Sequence, residues 1–339
     1  MYKDPVSVNR RIFLKELSLG TAALGLSPLA GRAAAAAEAS TVMWKPRVGI
    51  LVNYSPANIA FARKEGFTSL GLWAQATGNL SPKTVTDAKL DQIRADIQQS
   101  GLYCSVLGVT ANHIDPDPDK RKAVNDHVAG VIEIAGKLGI PNIGTMSGKD
   151  ASKPLASQVE DIQRTYETKY FPLCEKYKVR MVWEPWPQGP NVATGPVGYE
   201  ALFKAFGNSP YVGIQFDPSH YLRQFMDPYQ AARDWADKIY DVHLKDTEIR
   251  YDVLSRVGID PPSPQHWWRY RIPGQGLIDW PKFFTVLMDR GYSGAMNIEH
   301  EDATYHPGYN GDDINDGYKV GFGLGLKYLK QYVAVQSLA

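Results

Sequence analysis

The sequence predicts an α/β protein in which eight parallel strands, each followed by a helix, close into a (β/α)8 TIM barrel. After residue 40, eight short apolar runs follow one another, and helical spacing or helix-start signals come after most of them. Eight alternating strand and helix units in about 300 residues are what such a barrel requires. The first run ends in Val52-Asn53-Tyr54-Ser55-Pro56 instead of a glycine-rich phosphate loop. A doubly wound open sheet is therefore the second choice.

The predicted strands are short and rich in apolar residues, and the predicted helices have an apolar face. The strands are Arg47–Asn53, Ser69–Ala74, Tyr103–Val109, Asn142–Met146, Val179–Glu184, Val212–Asp217, Ile239–Lys245 and Ala295–Glu299. The helices are Thr86–Gln99, Asp117–Leu138, Gln158–Tyr177, Val197–Phe206, Pro228–Ala236, Trp280–Arg290 and Asp313–Val333. Gly139 and Gly291 stand where a left-handed residue would end a helix. Between the last two strands, Thr247 to Ile278 is predicted to be a long, functional loop.

Composition excludes several classes of protein. The chain has 339 residues and a formal net charge of +1, whereas nucleic-acid binders usually carry a basic face. Its two cysteines, Cys104 and Cys174, lie outside any CxxC or Cys/His cluster, so a disulfide scaffold or a cysteine zinc site is not expected. Hydrophobic residues make up 44%, which is ordinary for a globular protein with a core. The partner we expect is a small molecule and not a nucleic acid.

The first 40 residues resemble a twin-arginine export signal. Asn9-Arg10-Arg11-Ile12-Phe13-Leu14-Lys15 is followed by a weakly apolar stretch from Leu17 to Leu29 and by small residues around Ala33. We therefore divide the chain into a signal segment, residues 1–40, and a barrel, residues 41–339. The apolar part is too short and too interrupted to span a membrane comfortably, although a retained anchor is the alternative. The expected location is periplasmic or secreted, with no membrane span after the signal is removed.

Four predicted strands end in a metal-ligating side chain: Glu184, Asp217, His243 and Glu299. In a parallel barrel the carboxyl ends of all strands lie on one face, where such proteins keep their sites. The run Tyr240 to Asp246 alternates apolar and polar residues and so places His243 on a polar face. Three carboxylates and one imidazole suit one divalent cation, Mn²⁺ in the first place, with Mg²⁺, Co²⁺, Fe²⁺ or Zn²⁺ as alternatives. Asp217, which precedes Pro218, also fits a helix cap.

These residues together resemble the xylose isomerase-like TIM barrels. The resemblance rests on Glu184, on Asp217 with His220 three residues later, on the Val-His-Leu-Lys-Asp run from 242 to 246, and on Glu299, and it covers residues 45–335. The chain is most similar to the sugar phosphate isomerase/epimerase branch, which includes ketose 3-epimerases and hydroxypyruvate isomerases. The resemblance implies that the four residues bind one divalent metal and that the two glutamates are also the acid/base pair.

Further residues are expected to contact the substrate. The resemblance implies that His220 and an arginine after strand seven, here Arg271, contact substrate oxygens. His113 follows strand three and either faces the substrate or is an ordinary loop histidine; Trp186 either walls the sugar or packs. Lys245 pairs with a carboxylate or a substrate oxygen, and Asp246 touches the substrate or caps the long loop. His300 should face away from Glu299, and Glu301 is the substitute ligand if the register shifts by two.

The expected activity is a metal-dependent sugar isomerase or epimerase. A carboxylate removes the proton beside a carbonyl, and the metal stabilises the enediolate that results. An unphosphorylated sugar or keto-sugar is expected, because phosphosugars are mostly cytoplasmic. The alternatives are a 3-keto-glycoside lyase, which would cleave a glycosidic bond by β-elimination at the same metal site, and a non-catalytic sugar-binding barrel. Assembly into a homo-oligomer stays open. Endonuclease IV has the same fold, but its activity is rejected for this chain, because Gly144-Thr145-Met146 offers no histidine after strand four.

Overall fold

The computed structural model describes residues 43–207, 209–262 and 266–335, so the predicted export signal lies outside the described residues. Its strands are β1 (Arg47–Val52), β2 (Ser69–Trp73), β3 (Tyr103–Gly108), β4 (Asn142–Thr145), β5 (Arg180–Trp183), β6 (Val212–Phe216), β7 (Ile239–Leu244), β8 (Asp246–Ile249), β9 (Trp268–Arg271), β10 (Ala295–Ile298), β11 (Tyr309–Asn310) and β12 (Asp313–Ile314). Eight of them form a closed barrel in the order β1-β10-β7-β6-β5-β4-β3-β2, and every pair in it is parallel. The predicted fold class is confirmed, and each predicted run contains one barrel strand.

Helices follow the barrel strands and cover them. They are α1 (Pro56–Glu65), α2 (Asp87–Ser100), α3 (Pro118–Leu138), α4 (Leu155–Thr165), α5 (Phe171–Tyr177), α6 (Pro196–Phe206), α7 (Pro218–Arg223), α8 (Pro228–Asp234), α9 (Tyr251–Val257), α10 (Trp280–Asp289) and α11 (Asp316–Leu329). Helix α3 begins where predicted, because the Asp117 carboxylate accepts the backbone N–H groups of Asp119 and Lys120, and it ends at Gly139 with φ of 73°. Among the described helices, none is both long and apolar enough to cross a membrane.

The predicted helix Gln158–Tyr177 is not continuous. Helix α4 passes through a π-helical turn, Tyr166–Tyr170, before α5 begins. Pro172 lies in the first turn of α5 and has no N–H to donate back to the preceding turn. A break in the regular ladder at this point is the expected result, and π turns are often found at such interruptions. Tyr166 and Tyr170, both fully buried, are turned inward there.

The predicted loop from Thr247 to Ile278 contains regular structure. Strands β8 and β9 pair antiparallel, with Asp246 opposite Arg271 and Ile249 opposite Trp268. Helix α9 follows β8 in the connection between them. The sequence analysis missed this hairpin, because its strands have only four residues each and lie among prolines and charged residues. The hairpin stands next to the carboxyl end of β7 and so contributes side chains to the barrel mouth.

The barrel interior below the mouth is polar and hydrogen-bonded. Asn297 donates to Ser105 at 2.9 Å, and Ser105 donates to Asp241 at 2.9 Å. Gln215 donates to the other carboxylate oxygen of Asp241 at 2.8 Å. Gly144 leaves the room for Gln215, because a Cβ there would lie 2.4 Å from the Gln215 amide oxygen. Burial raises the pKa of Asp241 to about 6. This hydrogen-bonded network supports the barrel strands whose ends hold the residues at the mouth.

Candidate metal and active site

Four neighbouring strands deliver the predicted ligands to one point. Glu184 follows β5, Asp217 follows β6, His243 lies in β7 and Glu299 follows β10. Because β5, β6, β7 and β10 are consecutive in the barrel and parallel, their carboxyl ends meet at the same edge. One ligand atom from each residue lies within 4.8 Å of those of the other three. The structure therefore brings together the four residues that the sequence analysis selected.

His243 is at the centre of this group. Its Nδ1 atom is 3.2 Å from Oε1 of Glu184, 3.1 Å from Oε2 of Glu299 and 3.6 Å from Oδ2 of Asp217. Burial by itself would lower the pKa of His243, but the carboxylates of Glu299 and Glu184 outweigh it and hold that pKa well above its usual value. One imidazole nitrogen thus faces all three carboxylates. This is the arrangement expected if the four side chains coordinate one ion.

Asp217 uses its two oxygens for different purposes. Oδ1 accepts the backbone N–H of Ser219 at 2.8 Å and so caps α7. Oδ2 is buried and accepts no hydrogen bond of regular geometry within the described part of the chain, although the Lys245 ammonium lies 3.1 Å from it. Buried carboxylate oxygens are normally satisfied, so this atom could also serve as a ligand of a cation. The sequence analysis offered the cap and the metal ligand as alternatives, and the geometry allows both.

The donor set fits a divalent cation. Burial alone would raise the pKa of Glu184, but His243, His220 and Lys245 outweigh it and hold this pKa well below its usual range. Asp217 behaves alike: its pKa is lowered mainly by Lys245 and His220 against the effect of burial. Carboxylate oxygens with a single imidazole nitrogen are the ligands that hard or borderline divalent ions prefer. Glu184, Asp217, His243 and Glu299 could therefore hold such an ion.

Lys245 is buried beside the same carboxylates, with 1% of its side chain exposed. Its ammonium is 2.5 Å from Glu299, 2.9 Å from Glu301 and 3.1 Å from Oδ2 of Asp217. Burial would lower the pKa of Lys245, but Asp217, Glu299 and Glu301 hold it well above its usual value. The ammonium compensates part of the negative charge of the mouth. Of the two partners expected for Lys245, the structure shows the carboxylates.

His220 links the metal-ligand group to the hairpin. From the short helix α7, its Nε2 atom lies 3.1 Å from Oε1 of Glu184. Its Nδ1 atom lies 2.9 Å from the hydroxyl of Tyr270 on β9. The Lys245 ammonium also lies over the Tyr270 ring, 4.4 Å from the ring centre. Tyr270 was not predicted as a site residue. The only sequence signal for it is its position two residues after Trp268, which puts both rings on one face of a strand that was not predicted.

The metal-ligand group opens into a cavity of about 140 Å³, which we call the inner cavity. Its wall combines Glu184, His220, Lys245 and Glu299 with Glu301 and with the rings of Trp73 and Trp186. Trp186 is held against the backbone of Gly189, where a Cβ would lie 2.4 Å from the ring. Partial desolvation in the cavity raises the pKa of Glu301, whose side chain is 49% exposed. A small polar molecule in this cavity would be surrounded by three carboxylates, by the nitrogen groups of His220 and Lys245, and by an aromatic wall.

A larger depression of about 700 Å³ lies beside it, and we call it the outer cavity. Residues after β5 and β6 and residues of the hairpin connection line it, among them Pro187, Arg223, Phe225, Ile259, Trp267 and Trp268. Pro187 directly follows Trp186 of the inner cavity. The chain segment Trp186-Pro187 therefore contributes one residue to the wall of each cavity.

His113 is not among the residues that line the inner cavity, and both nitrogens of its ring have partners within the protein. Its ring is fully buried, with Nδ1 2.9 Å from the Tyr170 hydroxyl and Nε2 3.3 Å from the Thr145 hydroxyl. Burial lowers its pKa to about 4. The π-helical turn brings Tyr166 and Tyr170 against the ring, edge to face. His113 thus holds α5 and its preceding turn to the barrel.

Arg271 and Asp246 also have structural contacts in place of the expected substrate contacts. Arg271 donates to Asp302 at 2.8 Å and to Glu248 at 2.5 Å, and it is not in the wall of the inner cavity. Asp246 is fully buried and accepts four hydrogen bonds, from the backbone of Thr247, Gly274 and Ile278 and from the Trp280 indole. Of the two roles considered for Asp246, the structure shows the one in which it ties the long connection to the barrel.

The residues beside Glu299 have separate roles. His300 faces away from the cavity and is buried against Tyr305, Tyr318 and Phe322, as expected from strand alternation. Glu301 lines the inner cavity and pairs with Lys245, but Glu299 is the residue within the four-ligand group. The metal-ligand prediction therefore stays with Glu299, and the alternative in which a register shift of two makes Glu301 the ligand is not required.

Comparison with known proteins agrees with this geometry. The model of a family described as xylose isomerase-like TIM barrels matches residues 59–322. The Bacillus subtilis protein YfiH is 28% identical over 281 residues, which are 73% of this chain and 88% of YfiH. An inosose isomerase of Halalkalibacterium halodurans is 22% identical over 244 residues, 71% of this chain and 81% of that protein. The structure of 3-keto-D-glucoside 4-epimerase from E. coli superimposes with a TM-score of 0.64 at 14% identity, over 85% of this chain and 100% of that one.

Proposed function

Because the chain belongs to the xylose isomerase-like TIM barrel family, we propose that it is a metal-dependent isomerase or epimerase of an unphosphorylated sugar or keto-sugar. One observation carries the proposal: Glu184 and Glu299 direct their carboxylates into one cavity from the two sides of His243 in the barrel order. A protein that only binds sugar has no need of two such carboxylates around one imidazole. The similarity to an inosose isomerase and to a 3-keto-D-glucoside 4-epimerase supports a sugar-like substrate.

In the proposed reaction the two glutamates exchange a proton with the substrate carbon. A divalent ion held by Glu184, Asp217, His243 and Glu299, with Mn²⁺ favoured, would polarise neighbouring carbonyl and hydroxyl oxygens of the substrate. One glutamate takes the proton from the carbon beside the carbonyl, and the other returns a proton to the opposite face of that carbon, which gives the epimer. Return of the proton to the former carbonyl carbon, together with transfer of the neighbouring hydroxyl proton to the former carbonyl oxygen, gives the isomer.

Neighbouring side chains keep the two glutamates in position. Lys245 donates to Glu299, and His220 contacts Glu184 from a ring that Tyr270 orients. Positioning of this kind holds a base near the proton it removes without loss of entropy at the moment of reaction. The cavity also argues against a phosphosugar, because a phosphate dianion close to Glu184, Glu299 and Glu301 would be repelled.

A 3-keto-glycoside lyase is the second candidate, and the outer cavity is the observation that favours it. In that reaction a glutamate takes the proton beside the carbonyl, and the electrons of the C–H bond form a carbon–carbon double bond. The glycosidic oxygen leaves from the next carbon with its bonding pair and takes up a proton. The same carboxylates serve both reactions, so products distinguish them.

We also propose that the chain is exported through the twin-arginine pathway to the periplasm or the exterior. The support is the sequence Asn9-Arg10-Arg11-Ile12-Phe13-Leu14-Lys15, followed by a weakly apolar stretch and small residues. This pathway carries folded proteins, which is consistent with a protein that acquires its metal before export.

The experiment that tests the function is proton exchange in D₂O. The Mn²⁺-loaded protein is incubated with a panel of free ketoses and 3-keto-glycosides, and the position of deuterium and the products are determined. We expect one divalent ion per chain and deuterium at a carbon beside the carbonyl. Glu184→Gln and Glu299→Gln should each reduce exchange by about 10²- to 10⁴-fold, the range of a general acid or base. Full exchange in both variants, or a purified protein that binds no divalent metal, would overturn the proposal.

A further inference from the structure

The outer cavity is larger than the inner one and lies on its rim. Its volume is about 700 Å³ against about 140 Å³. Small-molecule sites typically occupy about 300–1,000 Å³ and have mostly apolar walls with a few polar groups. The inner cavity, which contains the reacting groups, falls below this range. Together the two cavities offer the room and the lining of a site for a molecule with more than one ring.

Direct contacts connect the two cavities. His220 of the inner cavity binds the Tyr270 hydroxyl, and the Tyr270 ring lies 4.8 Å from the ring of Trp268. Trp268 lines the outer cavity, where the Arg223 guanidinium covers it at 3.7 Å from the ring centre. On the opposite side, Trp186 and Pro187 are adjacent in the chain. Aromatic side chains therefore stand between the two cavities, and a ligand that occupied both would contact them.

Two large apolar side chains in the wall of the outer cavity are exposed. Phe225 is 52% exposed and Ile259 is 68% exposed. Phe225 stacks on Trp267 at 5.6 Å and 15°, and its backbone has a φ of 58°, in the left-handed region that non-glycine residues rarely adopt. Residues held in such a conformation are concentrated at ligand sites. The ring of Phe225 is thus held in the open by the backbone and by its neighbour.

Arg223 supplies a polar group in this apolar surrounding. Its Nη1 atom is buried and has no hydrogen-bond partner among the residues that the structure describes. A buried guanidinium N–H without a partner is costly, and an oxygen acceptor on a ligand would satisfy it. Stacked rings with one free donor are suited to a planar or ring-shaped group that carries an oxygen.

From these observations we infer that the outer cavity binds the aglycone of a keto-glycoside whose keto-sugar ring lies in the inner cavity. The aglycone is aromatic or a second ring, stacks on the exposed ring of Phe225, and accepts a hydrogen bond from Arg223, whose guanidinium lies over Trp268. This inference rests on the proposed function, since it places the reacting ring against Glu184 and Glu299. It narrows the substrate class from sugars in general to glycosides.

The test compares substrates that differ only in the aglycone. The Mn²⁺-loaded protein is given methyl and phenyl 3-keto-glucosides, both anomers of each, with D-fructose and D-tagatose as free ketoses. The rate of deuterium uptake from D₂O gives kcat/KM for each compound. We expect kcat/KM of a phenyl glycoside to exceed that of its methyl counterpart by about tenfold or more, which is the effect of one or two aromatic contacts.

Variants show whether the outer cavity causes this preference. The double variant Phe225→Ala, Ile259→Ser should bring the ratio of phenyl to methyl glycoside close to one. Tyr251→Ala is the matched control, because Tyr251 is a 61% exposed ring on α9 that is not in the wall of the outer cavity. It should leave the ratio unchanged. Circular dichroism checks that all variants are folded.

The outcomes separate this inference from the proposed function. If the compounds exchange but the ratio is near one in the wild-type protein, or is the same in the double variant, the inference is overturned and the function stands. If only the free ketoses exchange, the inference is likewise overturned and the proposed function stands. If no compound exchanges, the function fails and the inference falls with it. A dimer in solution that dissociates on Phe225→Ala would show that a second copy covers this surface, and would also overturn the inference.

Discussion

Lys245 brings a positive charge into a group of four carboxylates. The side chains within 4 Å of its ammonium include Glu184, Asp217, Glu299 and Glu301. The three carboxylates of the metal-ligand group, Glu184, Asp217 and Glu299, would repel one another strongly in a buried position without a cation. The ammonium therefore stabilises the site when the metal is absent and shares that task when the metal is present.

We expect Lys245→Met to destabilise the metal-free protein strongly and the metal-bound protein less. Removal of one partner from a buried ion pair costs about 3–5 kcal/mol, because the other charges stay buried without compensation. A bound divalent ion would replace most of the lost positive charge. The measurement is urea unfolding at pH 8 with EDTA and, separately, with saturating Mn²⁺.

Lys122→Met serves as the surface control, because Lys122 pairs with Asp126 in solvent, with 77% of its side chain exposed. It should leave the unfolding curve unchanged in both conditions. Equal stability of Lys245→Met and the wild type in EDTA would contradict the charge balance proposed for the site.

His113 is a residue whose burial makes stability depend on pH. Its pKa is lowered from 6.5 to about 4 by burial, so it stays neutral in the folded protein at a pH where the unfolded chain is protonated. The resulting stabilisation is complete above about pH 6.5 and is lost as the pH falls through 4. This difference in pKa between the unfolded and the folded protein corresponds to about 3 kcal/mol of unfolding free energy.

The prediction is tested with His113→Phe. We expect the difference in unfolding free energy between the wild type and this variant to shrink by about 3 kcal/mol between pH 7 and pH 4. Groups that titrate in both proteins cancel in this difference. A difference that stays constant over this range would mean that His113 is protonated in the folded protein.

At the scale of elements, α11 shows how one glycine lets a helix approach a strand end. A Cβ on Gly321 would lie 1.8 Å from Nε2 of His300. His300 cannot withdraw, because its ring is buried among Tyr305, Tyr318 and Phe322 and its Nδ1 accepts the N–H of Asp302. Glu299, a predicted metal ligand, is the residue immediately before it.

We expect Gly321→Ala to destabilise the protein by about 1–3 kcal/mol, the cost of overpacking a core. Gly323→Ala is the matched control in the same helix, since a Cβ there meets nothing within 4 Å. Replacement of an unobstructed helix glycine should stabilise by about 0.5–1 kcal/mol. Thermal and urea unfolding measure both, and effects of the same sign in the two variants would disprove the packing argument.

At the scale of the whole molecule, the charge is distributed unevenly. The chain carries a formal charge of only +1, yet Glu184, Asp217, Glu299 and Glu301 lie together at one end of the barrel. Lys245 lies among these four carboxylates and compensates only part of their charge. The near-neutral chain thus has an excess of negative charge at the mouth, which would favour the binding of a cation.

Export is also a property of the whole molecule, and it is tested on the full chain. We expect the double variant Arg10→Lys, Arg11→Lys to remain in the cytoplasm of a bacterium that has the twin-arginine pathway, because the paired arginines are the recognised feature. Cell fractionation and immunoblotting measure the location. Arg32→Lys, a conservative change outside the motif, should be exported like the wild type. Equal export of both variants would exclude the pathway.

The barrel and its four ligand-bearing strand ends could be predicted from the sequence because they depend on periodicity. Alternation in Tyr240 to Asp246 determines which side chains face inward, and the parallel arrangement puts Glu184, Asp217 and Glu299 on the same face as His243. Both rules are local, or follow from the fold class alone. The helix caps at Asp117 and Gly139 could be predicted for the same reason.

The residues outside the barrel strands depended on tertiary structure. Arg271, Asp246 and His113 were expected at the substrate, but their partners Asp302, Trp280 and Tyr170 lie 31, 34 and 57 residues away in the chain. Tyr270 and the outer cavity exist only because a hairpin folds over the mouth. The sequence by itself therefore determined the barrel and the strand-end residues, since backbone geometry dictates where they point. The tertiary structure decided which polar loop residues are left free for a ligand, because a buried polar group takes the nearest partner in space, whatever its distance along the chain.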